Sequence, residues 1–351
     1  MISSPSAPEH SLRLRLSMLD DARPDPRVAL VTGIYGQDGS YLAERLLADG
    51  WEVHGAYRPG TSMSETAPAD LTGAHLHGCD LVDDTAAADL VAEVTPGVIF
   101  HLAGASSVGR SWQAPVATAR VNAVATTALL DAAMGVADRT GDRVVFVNAS
   151  SAEIFGTTDA GRLDESTPIA PSSPYGATKA YTHLLGAVYR DRGLAVNNAI
   201  LFNHESPRRG TEFVTGKIAH GVAAIARGER DRLSLGDMSA RRDWGWAPDY
   251  ADAMYRMAVR SDARGDDFVI ATGTSHSVRD FVAAGFAAVG IDDWEHLVEI
   301  DSAHVRPVDP SDFVGDAAHA RAVLGWAPTV QFGEIVRNMV ESHMAQSVAA
   351  R

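Results

Sequence analysis

The sequence contains a single cysteine, Cys79, among its 351 residues. One thiol excludes a disulfide within the chain and a metal cluster held by several thiolates, and it favours a reducing, cytoplasmic location. The chain also lacks an apolar run of the roughly 18 residues that a membrane helix needs. Its 13 histidines form no H-E-x-x-H motif, so the sequence motifs predict no metal site.

Positive charge is scarce as well, since 30 Lys and Arg stand against 45 Asp and Glu, a formal net charge of −15. Proteins that coat DNA, RNA or an anionic bilayer draw their sequence-independent affinity from cationic side chains. The acidic balance therefore argues against nucleic acid and membrane as partners. A small anionic ligand is still possible, because it needs only a local cluster of cations.

Between about residues 28 and 272, short β-branched runs alternate with longer amphipathic segments, which predicts parallel strands joined by helices. The predicted strands are Val28–Gly33, Glu52–Arg58, His75–Leu81, Val98–Ala103, Val144–Ser151, Val196–Asn203 and Phe268–Thr272. Helices are predicted over segments that include Thr118–Met134 and Lys179–Arg190. The expected fold is α/β, with a Rossmann-like doubly wound parallel sheet.

The alternation breaks down after Asn203, where short helices, turns and isolated strand-like pieces such as Arg232–Leu235 follow. We predict a smaller, discontinuous α/β substrate-binding domain from residues 204–245 and 274–351. Residues 28–203 and 246–273 are assigned to the dinucleotide-binding domain, and residues 1–27 to an irregular N-terminal arm. Ligands of open α/β sheets bind at the carboxyl edge of the strands, which the smaller domain is expected to cover.

The first strand runs into a glycine-rich turn, T-G-I-Y-G-Q-D-G at residues 32–39, that opens a helix. Gly33 permits the tight turn, Gly36 lets the backbone approach a pyrophosphate, and Gly39 lets the helix pack close to the strand. The helix N-terminus then presents N–H groups to the phosphates. This context predicts cofactor contacts from Gly33, Tyr35, Gly36, Gln37, Asp38 and Gly39.

The residues after the next strands select the cofactor. A carboxylate after the second strand would bind a ribose 2′-hydroxyl, but this chain has Arg58, which can pair with a 2′-phosphate and favours NADP over NAD. Asp80 and Leu81 follow the third strand and are expected near the adenine, although Asp80 can equally cap a helix. The fourth strand ends in Leu102, Ala103 and Gly104. The small residues Ala103 and Gly104 let the backbone pass close to the cofactor.

Four residues form the predicted catalytic set. Tyr175 and Lys179 have the i, i+4 spacing that places both on one face of a helix. A phenol with a pKa of about 10 is a poor base, but a neighbouring ammonium and a nicotinium charge both favour the phenolate. Ser151 ends the fifth strand and can hydrogen-bond the same substrate oxygen. Glu153 can act as a further base, or it can cap the next segment.

The chain resembles the extended short-chain dehydrogenase/reductase family and, within it, the GDP-mannose 4,6-dehydratases. The resemblance is carried by Gly33–Leu42, Ser172–Ala177 with Lys179, Ile200–Gly210, Arg242–Gly245, Phe268–Gly273 with His276–Arg279, and Leu324–Trp326. It implies a lyase that converts GDP-mannose to GDP-4-keto-6-deoxy-mannose, with NADP carrying hydride from C4 to C6 as water leaves. In that reaction Tyr175 takes the O4 proton and later protonates C5, while Glu153 removes H5.

The resemblance also implies binding residues outside the motifs. Expected cofactor contacts are Asn203, His204 and Arg209, and expected substrate contacts are Ser106, Ser151, Glu153, Tyr175, Asn203, Lys217, Arg242, Arg306 and Asp309. Arg–phosphate pairing is the expected contact for a diphosphate, and a homodimer or homotetramer is expected. The alternatives are a dehydratase, decarboxylase or epimerase of another sugar nucleotide, or a non-catalytic nucleotide-sensing protein on the same fold.

Overall fold

The structure is a computed structural model that describes residues 27–63, 68–158, 161–263, 265–301 and 313–349. Its strands are β1 (Val28–Thr32), β2 (Glu52–Tyr57), β3 (His75–Gly78), β4 (Val98–His101), β5 (Val145–Ser151), β6 (Arg162–Leu163), β7 (Ala195–Leu201), β8 (Asn203–Glu205), β9 (Leu233–Leu235), β10 (Arg241–Trp246), β11 (Asp267–Ile270), β12 (Ser275–Ser277), β13 (Val298–Ile300) and β14 (Val314–Gly315).

Its α-helices are α1 (Gln37–Ala48), α2 (Asp84–Val94), α3 (Val108–Gln113), α4 (Pro115–Ala119), α5 (Ala125–Thr140), α6 (Pro174–Asp191), α7 (Val214–Ala226), α8 (Ala247–Val259), α9 (Val278–Ala288), α10 (Ala318–Leu324) and α11 (Phe332–Ala349). A π-helical turn, Arg120–Val124, joins α4 to α5. Within the described ranges, no helix combines the length and the apolar content needed to cross a bilayer.

The main sheet has seven strands in the order β11-β7-β5-β4-β1-β2-β3, and every pairing in it is parallel. Strands alternate sides along their length, so Ala29 and Val31 contact one helical layer while Leu30 contacts the other. Because both faces are covered, β5 and β7 are buried along their whole length. The α/β, Rossmann-like prediction is confirmed.

Each face of the sheet has its own apolar layer. On one face, α1 and α8 pack together through side chains such as Leu42, Met254 and Met257, and α10 adds Leu324. On the other face, α2 and α5 contribute Leu90 and other aliphatic side chains. These two layers hold the strand ends in fixed positions, which is what a site at the carboxyl edge requires.

A separate apolar cluster lies in the second part of the chain, where α7, α9 and α11 pack around Trp244 of β10. Here β10 pairs in parallel with β8 and antiparallel with β12, and β13 pairs with β9. The smaller α/β unit therefore draws on separate stretches of the chain. Its boundaries stay a prediction, and residues 1–26 of the predicted arm lie outside the described residues.

All seven predicted strands of the main sheet are present, and Arg232–Leu235 contains β9. Several strands end earlier than predicted. For example, β3 stops at Gly78 and β4 at His101, because the chain leaves the sheet as a loop after these residues. The predicted helix Thr118–Met134 is not continuous, since the π-helical turn interrupts it. Lys179–Arg190 falls inside α6.

Candidate active site

The glycine turn after β1 has the shape that a dinucleotide pyrophosphate needs. Gly33 has a φ of +72°, and a Cβ added there would lie 2.9 Å from Ala103 Cα. A Cβ at Gly39 would lie 2.3 Å from the Gly33 carbonyl oxygen, so α1 could not approach β1 as closely. No side-chain oxygen caps α1 at Gly36. A phosphate can therefore take the capping role at this helix N-terminus.

The exit from β4 is held against that turn by the Thr32 side chain. Its Oγ1 accepts hydrogen bonds from the N–H groups of Leu102 at 3.1 Å and Ala103 at 3.2 Å. Gly104 follows, and a Cβ there would lie 3.1 Å from Asn122 Oδ1. The predicted residues Leu102–Gly104 are thus placed beside the glycine turn, while Ser106 is exposed on the loop that continues from them.

At the end of β2, the Tyr57 ring stacks on the Tyr35 ring with centroids 4.6 Å apart. Arg58 follows immediately and is exposed. The Asp80 carboxylate accepts the N–H of Val82 at 3.2 Å. The helix cap, which was the alternative role predicted for Asp80, belongs to Asp83 at the start of α2. Nothing in the sequence signalled the tyrosine pair, because Tyr35 lies in the glycine turn and Tyr57 ends β2.

The catalytic candidates Ser151, Glu153 and Tyr175 come together at the carboxyl end of β5. Ser151 Oγ accepts the N–H of Glu153 at 3.2 Å, and the Ser151 hydroxyl also hydrogen-bonds the Tyr175 phenol. Tyr175 lies in the first turn of α6, a helix that Ser173 caps and Pro174 starts. One turn later, Lys179 donates from Nζ to the Ala149 carbonyl oxygen at 2.7 Å.

Burial dominates the electrostatics of this group. It raises the pKa of Tyr175 to about 12, against the Ser151 hydrogen bond and with help from the Glu153 charge. Burial also lowers the pKa of Lys179 to about 8, while Asp38 opposes that change. The Lys179 ammonium nitrogen is 6.0 Å from the Tyr175 ring centroid. Tyr175 is therefore protonated at neutral pH in the chain by itself.

Sequence reasoning missed Asn122, which is buried in the π-helical turn. Its Oδ1 accepts the N–H of Ala105 at 2.8 Å, and its Nδ2 donates to Thr178 Oγ1 at 3.0 Å. The side chain thus ties the β4 loop to α6 between Tyr175 and Lys179. A lone asparagine in a predicted helix carries no signal of this role, and the π-helical turn that aims it is invisible in the sequence.

The first turn of α1 is fastened to β8 by polar side chains. His204 Nε2 lies 3.0 Å from Asp38 Oδ1, and Gln37 Nε2 donates to the His204 carbonyl oxygen at 3.0 Å. Burial would raise the pKa of Asp38, but His204, Arg209 and Gln37 hold it below its usual value. Burial would lower the pKa of His204, but Asp38 raises it. The two therefore form an ion pair below the glycine turn.

The remaining predicted substrate contacts lie from β8 onward. Asn203 pairs with Trp244 in the β8–β10 register and is half-buried. Arg242 is buried, and its guanidinium carbon lies 6.0 Å from the Phe313 ring centroid. Lys217 is half-buried near the start of α7, where burial and Arg230 lower its pKa. Arg306 and Asp309 lie outside the described residues.

Three other arginines in this part of the chain make contacts within it. Arg208 forms an ion pair with Glu44 at 2.7 Å and lies over the Tyr41 ring. Arg209 lies 3.2 Å from the buried Glu205 carboxylate. Arg241 donates to the Ser275 carbonyl oxygen at 2.8 Å. These three arginines therefore stabilise the folded chain through contacts with its own residues.

Comparison with known proteins places this geometry in a family. The model of the GDP-mannose 4,6 dehydratase family matches residues 30–339. The chain is 39% identical to GDP-mannose 4,6 dehydratase 2 of Arabidopsis thaliana, an alignment that covers 93% of this chain and 89% of that protein. It is 40% identical to GDP-mannose 4,6 dehydratase of Homo sapiens, over 90% of this chain and 91% of that protein.

The fold has solved counterparts. The structure of UDP-glucose 4-epimerase from Thermus thermophilus in complex with NAD is similar, with a TM-score of 0.77 and 28% sequence identity. The match covers 90% of this chain and 98% of that one. A sheet with this arrangement therefore accommodates a nicotinamide cofactor in a related protein.

Proposed function

The chain belongs to the GDP-mannose 4,6-dehydratase family, and we propose that it converts GDP-mannose to GDP-4-keto-6-deoxy-mannose with loss of water. The observation that carries the proposal is the convergence of Glu153 with Ser151 and Tyr175 at one strand end. A reductase or 4-epimerase needs one acid–base group for the C4 oxygen. Elimination across C5 and C6 needs a second base, and Glu153 supplies it.

A nicotinamide dinucleotide fits the residues described above. The glycine contacts at Gly33 and Gly39 and the uncapped N-terminus of α1 support a pyrophosphate there. Residues 102–104 and the side chains of Tyr175 and Lys179 would flank the rest of the cofactor. When bound, the cofactor supplies the acceptor for hydride from C4 and returns the hydride to C6, so no net redox change remains.

The protein's own groups handle the protons. Tyr175 takes the O4 proton, and because its pKa is about 12 in the buried site, it needs the positive charges of Lys179 and of the oxidised cofactor to act as a base. Ser151 orients the same oxygen through its hydroxyl. The C4 ketone acidifies H5. Glu153 removes that proton and passes it to the hydroxyl that leaves C6, which departs as water, and Tyr175 returns to C5 the proton that it took from O4.

The substrate diphosphate would be bound by cations of the second part of the chain. Arg242 is the strongest described candidate, because it is buried beside Phe313, which directly follows the segment containing Arg306 and Asp309. Lys217 and Asn203 lie on neighbouring elements and would complete the contacts. Bidentate arginine pairing suits a diphosphate in a low-dielectric setting.

The activity is tested by incubating the purified chain with GDP-mannose and NADP and following the loss of one water by mass spectrometry. Product from GDP-mannose is expected, with UDP-glucose giving none. Glu153→Gln should lower turnover by about 10²–10⁴-fold and abolish exchange of H5 with deuterated solvent. Turnover of UDP-glucose alone, or unchanged turnover in Glu153→Gln, would contradict the proposal.

NADP is the proposed cofactor rather than NAD. The support is local: β2 ends at Tyr57 and continues into the exposed Arg58, with no carboxylate to bind a ribose hydroxyl. Arg58→Ala is expected to weaken NADP binding about tenfold and to leave NAD binding unchanged, measured by calorimetry. Equal losses for both cofactors would assign Arg58 to a contact that they share.

A homodimer is the proposed assembly. Exposed apolar side chains on α6 and on the segment from α3 to the π-helical turn lie side by side: Trp112, Val116, Val124, Tyr181, Leu184 and Val188. The hydrogen bond between the Tyr181 and Thr127 hydroxyls, at 3.2 Å, joins α6 to α5, which continues directly from the π-helical turn. A second copy of the chain would cover it. Leu184→Glu should give a monomer by analytical ultracentrifugation; an unchanged sedimentation coefficient would exclude this face.

A cytoplasmic location is also proposed. Cys79 is buried, and burial together with Asp80 and Asp83 raises the pKa of its thiol. Such a thiol is unreactive, and a single buried thiol forms no disulfide that would require an oxidising compartment.

A further inference from the structure

The first residues of β2 and β3 bring three histidines and a glutamate onto one face of the sheet edge. In the parallel register, His54 is opposite His75. Glu52 and His77 lie two residues away along their strands and therefore on the same face. Among the described residues, the ligand atoms of Glu52, His54 and His75 all lie within 4.8 Å of one another.

The hydrogen bonds fix how His54 is oriented. Its Nε2 lies 2.9 Å from Glu52 Oε1, and its Nδ1 lies 3.0 Å from His77 Nε2. The His54 ring also stacks on the His75 ring with centroids 4.8 Å apart. An N–H···N contact needs one unprotonated nitrogen, so at least one of the His54 and His77 rings is neutral. A neutral imidazole with its second nitrogen held by a partner is the usual state of a metal ligand.

We infer that Glu52, His54 and His75 bind a divalent transition metal ion of the Zn²⁺ class, with His77 as the positioning residue that orients His54. Two imidazoles and one carboxylate are a known zinc donor set, with a water completing the tetrahedron. Imidazole donors disfavour Mg²⁺ and Ca²⁺, which prefer oxygen ligands. His54 would bind through Nε2, since Nδ1 faces His77.

The metal would stabilise the edge of the sheet and take no part in the reaction. Glu52 and His75 begin their strands, whereas the cofactor-facing ends of the same strands are Tyr57 and Gly78. A metal bridging β2 and β3 would tie the terminal strand of the sheet to its neighbour. Binding to the folded state alone raises stability in proportion to the logarithm of metal concentration over Kd.

Sequence reasoning could not find this set, because E-V-H and H-L-H are unremarkable apart and meet only through strand register. The inference is independent of the proposed function. Side chains of the four residues lie outside the catalytic and cofactor groups, so their variants are expected to keep basal turnover.

The test uses the full chain, freed of metal with EDTA and titrated with Zn²⁺ by calorimetry. One Zn²⁺ per chain with a Kd in the micromolar range or tighter is expected, with a rise in Tm of a few degrees at saturation. His75→Ala and Glu52→Gln should each weaken binding by at least about tenfold and remove the Tm rise. His296→Ala, which changes an exposed histidine beside Asp293, is the matched control and should bind Zn²⁺ as the unmodified chain does.

The absorption spectrum of bound Co²⁺ distinguishes a residue that ligates the metal from one that positions a ligand. The Co²⁺-loaded chain should show the visible d–d absorption of a tetrahedral site, His77→Ala should shift that spectrum and weaken binding about tenfold, and His77→Gln should restore it through its amide oxygen. No Zn²⁺ binding by the full chain, or equal binding by the full chain and His75→Ala, would overturn the inference.

Discussion

The two sides of the candidate site are built differently. On the proposed catalytic side, the candidate groups lie on short contiguous stretches at the end of β5 and in the first turns of α6. The side-chain oxygens of Thr32, Asn122 and Ser151 accept backbone N–H groups and hold the loops around them. On the proposed substrate side, the candidates Asn203, Lys217 and Arg242 come from separate elements. Arg208 and Arg209, which follow β8, are already paired with carboxylates of the chain. The proposed catalytic groups are therefore positioned by local sequence, whereas the proposed recognition groups depend on how distant segments pack.

The largest effect is expected on the catalytic side. Tyr175→Phe removes the proposed acid–base group for O4 and C5 and should lower kcat about a thousandfold, measured by product formation from GDP-mannose. Tyr181→Phe is a matched control in the same helix, since Tyr181 is exposed and its hydroxyl contacts only Thr127 in the described hydrogen bonds. Comparable losses in the two variants would place the effect in helix α6 rather than in the reaction.

A smaller effect is expected on the substrate side. Arg242→Gln removes a buried guanidinium and should raise KM for GDP-mannose about 10–100-fold with little change in kcat, because binding is lost equally in ground and transition states. Arg279→Gln, which alters an exposed arginine paired with Glu295, should leave KM unchanged. A fall in kcat with unchanged KM would move Arg242 to the catalytic side of the comparison.

The contact between the two sides should respond to pH. Because the pKa of Asp38 is lowered in the folded chain, this group stabilises the fold at pH values above 3.8, the ordinary pKa of aspartate. The contribution is lost as the pH falls through the folded-state pKa. Because the pKa of His204 is raised in the folded chain, this group stabilises the fold at pH values below 6.5, the ordinary pKa of histidine. The contribution is lost as the pH rises through the folded-state pKa. The pair therefore contributes most between about pH 4 and 6.5.

Asp38→Asn should accordingly lower the free energy of unfolding by about 2 kcal/mol in that window and by less at pH 8, measured by thermal or urea unfolding without cofactor. Asp262→Asn, in an exposed pair with Arg260, serves as the control and should leave Tm unchanged. A loss that does not vary with pH would mean that the ion pair does not fasten α1 to β8.

Sequence predicted most of what contiguous motifs encode. The glycine turn, the seven strands and the Ser151, Tyr175 and Lys179 set follow from spacing, because neighbouring residues on one helix or strand end have little freedom in where they lie. The structure places the glycine turn, Ser151, Tyr175 and Lys179 at the carboxyl edge of the sheet. Their roles in binding and catalysis stay proposals.

What sequence could not predict depends on contacts between distant segments. The Asp38–His204 pair joins residues 166 positions apart, and Asn122 reaches its partners only because a π-helical turn interrupts the expected helix. The Tyr35–Tyr57 stack likewise joins the glycine turn to the end of β2, and the histidines of β2 and β3 meet through strand register. Such pairings depend on tertiary packing, which overrides local preference.

The order of the strands also bears on how the chain is made. Helix α8, which covers α1 and buries Met254 and Met257, follows α1 by roughly 200 residues, and β11 reaches its place beside β7 only after that. At a synthesis rate of about 5–20 residues per second, the apolar face of α1 emerges some 10–40 s before its cover. The nascent chain thus exposes this face on the ribosome, where a chaperone that shields apolar helices would have its longest opportunity to act.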